Sequence, residues 1–217
     1  FIQSTHNTVS GQIALLCSCY GYNFTYVHDG HSFESALLDA LMQAEEQDAP
    51  VSILLGGLDE CTPTSAHMHQ RVAQLQTGDP DTDYTTAFAE GSSFFLMQTK
   101  PHTQSYAEVL DVYLSHILDW EEQLPLLLQK HDLATEDITH VLCGTDEGDL
   151  PSFLRTRQQT SLEFFKQASG EYPTAVAYAM ARACVLIRNW QRPENKSAEY
   201  PYILVLNRYK SSYFSEL

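Results

Sequence analysis

Basic residues are scarce in the first half of this chain: before Lys100 there is one, Arg71, against 28 Asp and Glu and a formal net charge of −16 over all 217 residues. That balance excludes a nucleic-acid partner, since duplex and single-stranded binding both rest on a basic surface. No apolar run approaches the length of a membrane span, and no signal-peptide pattern stands at Phe1, so a cytoplasmic protein with no membrane span is expected. Metal-ligand spacings are also missing. His67 and His69 stand alone without a cysteine or carboxylate at ligand spacing, and a surface loop or amphipathic helical turn accounts for them better than a metal. Cysteines number five, an odd count with Cys17-Ser18-Cys19 close together, and read as reduced core thiols. What is present is a packable composition, 43% hydrophobic with twelve Tyr and ten Phe, which argues for an ordered globular domain.

The most informative stretch is residues 23–57. Residues 24–27 form a short aromatic and β-branched run, Asp29-Gly30 signals a turn, and Ser32 is placed to cap a helix. Phe33, Ala36, Leu37, Ala40, Leu41 and Ala44 recur at three and four, one helical face. Residues 51–55 are continuously apolar before Gly56-Gly57 and predict a strand buried on both faces. Further along, residues 58–84 read as a polar excursion, 94–97 and 106–113 as strands, and 118–130 as an amphipathic helix kinked or broken at Pro125. Residues 138–142 suggest a buried strand, residues from Ala175 an apolar helix, and 202–206 a strand that closes in a hairpin with 212–214.

Thr5-His6-Asn7-Thr8-Val9-Ser10-Gly11-Gln12, then Gly21-Tyr22-Asn23, the Ser-Phe-Glu-Ser-Ala-Leu-Leu-Asp-Ala helix and Gly56-Gly57 together resemble the middle of a β-ketoacyl-ACP synthase of the thiolase superfamily. The resemblance implies a thiolase-like layered α/β fold over one domain, with residues 1–88 in the later part of the first repeat and 89–217 in the second. It also implies that Phe1 is a mid-domain start. In that family the turn before the helix carries the acyl-accepting cysteine, and the matching position is Gly30 in one register or His31 in the other. The family's two catalytic imidazoles fall at Cys143 and Glu171. Decarboxylative condensation needs a thiolate and paired imidazoles, so loss of all three implies a subunit that has kept the fold and lost the chemistry.

Chain-length factors, which pair with a catalytic synthase, are relatives of that description. The resemblance then implies no cofactor, a role in making fatty acyl, aryl-polyene or polyketide chains, and a homodimer or a heterodimer with a ketosynthase. The interface would involve Asn7, Gln12, Phe24, Thr25 and Tyr26, although a core helix and strand within one subunit fit the same residues. An acyl carrier protein is a further partner. Being acidic, it would be repelled by the first half of the chain and drawn to a basic face of Arg155, Arg157, Lys166, Arg182 and Arg188. The enzyme alternative is an acyltransferase or synthase working with displaced residues, for which His28, His31, Cys143 and Glu171 are the candidates. A thiol at Cys143 followed by Asp146, Glu147 and Asp149 is expected to be structural rather than reactive.

Overall fold

The computed structural model describes residues 5–77, 88–115, 120–156, 160–190 and 201–209, which form a mixed α/β structure with two small sheets. In the first, β1 (Ser52–Asp59) runs antiparallel to β2 (Gly91–Gln98), with Leu54 opposite Leu96 and Gly56 opposite Phe94. In the second, β3 (Ile138–Gly144) lies between β4 (Ser161–Phe164) and β5 (Tyr202–Asn207), parallel to both. Parallel neighbours need crossover connections. Between β4 and β5 this is supplied by α6 (Lys166–Ser169) and α7 (Ala175–Arg188).

Two apolar clusters define the layers. Phe33 and Leu37 of α2 (Ser32–Glu46) and Ala175, Val176 and Ala179 of α7 fill the space between the sheets, touching Leu55 on one and Leu142 on the other. The far face of the second sheet, through Val141, Cys143 and Leu206, is covered by Leu124 and Leu128 of α4 (Trp120–Lys130) and Leu154 of α5 (Ser152–Arg155). The remaining helices are α1 (Thr8–Leu16) and α3 (Pro63–Thr77).

Several expectations change. β1 is not buried on both faces: Leu55 is 5% exposed, whereas Leu54 is 53% and Leu58 49%, because among the described residues helices pack on one side only. Pairing sets β2 beside β1 within the first sheet. Among the described residues only β3 has a neighbour on each side. Residues 24–27 join no ladder among the described residues, yet Tyr22, Phe24 and Tyr26 line up ring by ring at 5.4 and 5.8 Å, the alternation of extended backbone.

Residues 106–113 form no strand. They are tied down by side chains, Asp111 to Lys130 (2.7 Å) and His131 (2.9 Å), and Tyr106 beneath the guanidinium of Arg188. The polar excursion contains α3, started by the Thr62 hydroxyl, which accepts the Ser65 N–H at 3.1 Å, with Pro63 in the first helical position. Pro125 lies inside α4 without ending it. Ser32 does not cap α2 but is its first residue. Cys17 and Cys19 are exposed rather than core. The expected hairpin partner at 212–214 lies outside the described residues.

Candidate functional site

The turn ahead of α2 is held by its own side chains. Ser32 Oγ donates to the carbonyl of Asp29 (2.6 Å) and accepts the His28 N–H (2.8 Å), and the His31 N–H donates to His28 O (3.0 Å). Asp29 takes a left-handed conformation, φ 49°, which turns the chain so that Gly30 is buried. His31 meets His28 edge-on, and His28 Nδ1 lies 3.2 Å from Ser35 Oγ.

Tyr209, at the end of β5, lies on Gly30. A Cβ added to Gly30 would come within 2.1 Å of the ring carbon Cγ and 2.2 Å of Tyr209 Cβ. Burial, with Asp29, Glu171 and Asp59 as neighbouring charges, pushes the Tyr209 hydroxyl well above its ordinary value. Glu171 is brought to the same neighbourhood but is paired, its Oε2 2.7 Å from Lys166 Nζ, which also donates to Arg208 O at 3.0 Å.

Cys143 is not brought to this cluster. Its side chain is 1% exposed and belongs to the apolar layer under α4 and α5, while the neighbouring Gly144 faces Asn207 and Phe165. Burial pushes the thiol up to about 11, so it stays protonated at neutral pH. Among the described residues no group of three or more His, Cys, Asp or Glu could hold a metal ion. His67 and His69 are two apart on α3 and do not share a face, and His69 stacks on Phe88. Of the expected basic face, Lys166 is paired as above, Arg182 grips Glu163 through two nitrogens and Arg188 covers Tyr106, while Arg155 is exposed and Arg157 lies outside the described residues.

Three polar residues of this region carried no signal that the sequence reading used. Glu34, in the first turn of α2, is 8% exposed and has its carboxyl raised to about 7 by burial, against weaker opposing pulls from its own N–H, Asn207 and Lys166. Asn207 Nδ2 lies 3.5 Å from Glu34 Oε1. Asp59 accepts both the N–H and the hydroxyl of Thr174, at 2.7 and 2.6 Å, and burial raises its carboxyl. A carboxylate one residue after Phe33, and another at the end of an apolar strand, were the available clues.

A second feature lies along α1. None of its residues is buried, and Leu15 and Leu16 are 75% and 86% exposed. Ser10 Oγ and Thr25 Oγ1, 2.9 Å apart, join the helix to the aromatic segment. One groove of about 320 Å³ follows Asn7, Gln12, Leu15 and Tyr20, and another of about 390 Å³ lies between Asn7, Gly11, Phe24 and Thr25. Asn7, Gln12, Phe24 and Thr25 are thus together on one open face, with Tyr26 half-buried beside it.

No family model, no curated protein and no solved structure matches this chain.

Proposed function

We propose that this chain is a non-catalytic subunit resembling β-ketoacyl-ACP synthases, of the chain-length-factor type. It pairs in the cytoplasm with a copy of itself or with a catalytic synthase and serves fatty acyl, aryl-polyene or polyketide synthesis. The observation that carries this reading is the turn at Gly30. In one register the resemblance puts the acyl-accepting thiol at Gly30, where there is no side chain and the space in front is filled by Tyr209; in the other it falls on His31, an imidazole rather than a thiol. Supporting it, α2 and α7 are sandwiched between two sheets, as a thiolase-like layering requires. α1 supports the pairing: an apolar helix is ordinarily buried, and this one presents Leu15 and Leu16 to solvent beside Tyr20 and Phe24. Of the candidates for the enzyme alternative, Cys143 is sealed in the far core with a raised proton affinity and Glu171 is paired with Lys166, while His28 and His31 stay at the turn.

The test is acylation. After incubation with a labelled acyl thioester, intact-mass and peptide mapping are expected to find no adduct on residues 29–32. An adduct there that chases off onto an extender substrate overturns the reading.

A further inference from the structure

Two buried acceptors belong to neighbouring side chains, and neither has a donor. Glu34 Oε2 and Asn207 Oδ1 each lack a hydrogen-bond partner, while the other atoms of the same two groups, Asn207 Nδ2 and Glu34 Oε1, approach at 3.5 Å. A buried carboxylate left in this state would face the full cost of desolvation, as would the amide oxygen. A single proton removes both deficits. If Glu34 is a carboxylic acid, its O–H supplies the donor that Asn207 Oδ1 lacks, and the Asn207 N–H continues to serve the other oxygen.

We propose that Glu34 and Asn207 form a neutral acid–amide pair that latches the end of β5 onto the first turn of α2, holding Tyr209 against Gly30, and that loss of the Glu34 proton to solvent releases this latch. The latch spans 173 residues of sequence, and Tyr209, which lies on Gly30, follows two residues after Asn207.

The surrounding charges set its sign. Lys166 of α6 attracts the ionised form of Glu34, but its ammonium is already 2.7 Å from Glu171 and 3.0 Å from Arg208 O. Arg208 turns outward to Asp149 at 3.2 Å. Asp29, Asp59 and Glu171 act on Tyr209 beside the latch. For Glu34 burial is the largest influence and outweighs the committed lysine, so the proton is retained to a higher pH than in the unfolded chain. The contribution of Glu34 to stability is therefore full at acid pH and is lost as pH rises through about 7.

The experiment uses the whole chain with glutamate carboxyl carbons labelled with ¹³C, titrated by NMR, alongside amide hydrogen exchange at residues 206–209. One glutamate signal should titrate with a midpoint of about 7 and be absent in Glu34→Gln. Exchange at 206–209, corrected for its intrinsic pH dependence, should accelerate by up to about tenfold per pH unit from the ordinary carboxyl range toward that midpoint in the wild type and level off above it. In Glu34→Gln it should stay at its acid-side level, because a carboxamide makes both hydrogen bonds at every pH. A wild-type chain with no glutamate titrating near neutrality, or with exchange at 206–209 indifferent to that range, overturns the latch, and neither result needs a variant to fold. A Glu34→Gln chain that keeps the wild-type acceleration overturns it as well.

Discussion

Gly30→Ala is expected to destabilise the chain by about 2–3 kcal/mol, and Tyr209→Gly in the same chain to remove most of that penalty. An alanine Cβ would lie 2.1 Å from Cγ, 2.2 Å from Cβ and 2.4 Å from Cδ1 of Tyr209, distances that real contacts do not reach. Because one of these atoms is Tyr209 Cβ, rotating the ring gives no relief, and the end of β5 has to move. The discriminating control is Tyr209→Ala. It deletes the ring but keeps the Cβ at 2.2 Å, so it should rescue Gly30→Ala poorly where glycine rescues it well. A double-mutant cycle by urea denaturation checks this. Equal penalties for Gly30→Ala in the wild-type and Tyr209→Gly backgrounds would mean that the two residues do not compete for one space. The same reasoning predicts that Gly30→Cys alone restores no acyl acceptance, since the new thiol collides with the ring.

Asp59→Ala should cost about 3 kcal/mol, from two donors left without an acceptor in a buried position. Thr174 is 6% exposed, and its N–H and hydroxyl both end on Asp59 Oδ2. Thr174 immediately precedes α7, so the Asp59 carboxylate does for this helix what an N-cap side chain does elsewhere, except that it arrives from the end of β1. It ties the first sheet to the helix between the sheets. Asp59→Asn keeps an acceptor oxygen and should lose about half as much. Denaturation midpoints for the three chains check the order, and Asp59→Asn as damaging as Asp59→Ala would show that charge rather than the acceptor matters.

Residues 138–144 and helices α2 and α7 were legible because their apolar periodicity matches their environment: β3 is covered on both sides, and α2 and α7 each bury one stripe. Residues 51–55 carry the same continuous apolar signal as β3, yet Leu54 and Leu58 are exposed, because an apolar run states what a strand can bury and not what covers it. α3 was hidden by Thr, Pro and His, and its start became evident only from the Thr62 contact with Ser65. Residues 106–113 alternate like a strand but are held by Asp111 and Tyr106 to α4 and α7, a use of side chains that periodicity does not encode. At the candidate site, the missing thiol at the turn of Gly30 and His31 was visible in the sequence. That Tyr209 fills the space above Gly30, and that Cys143 points into the opposite core, depend on contacts between distant parts of the chain.

We propose a subunit that has given up the acyl-accepting chemistry and kept a docking face, and light scattering on a size-exclusion column, with the chain alone and mixed with an intact β-ketoacyl-ACP synthase, decides whether it pairs. The account predicts a two-chain mass in at least one of these, against 24.5 kDa for one chain. Thr25→Pro, which removes a backbone donor from the aromatic segment beside α1, should return the species to a single chain. A wild-type chain that elutes at 24.5 kDa at every concentration, with and without the synthase, contradicts the account.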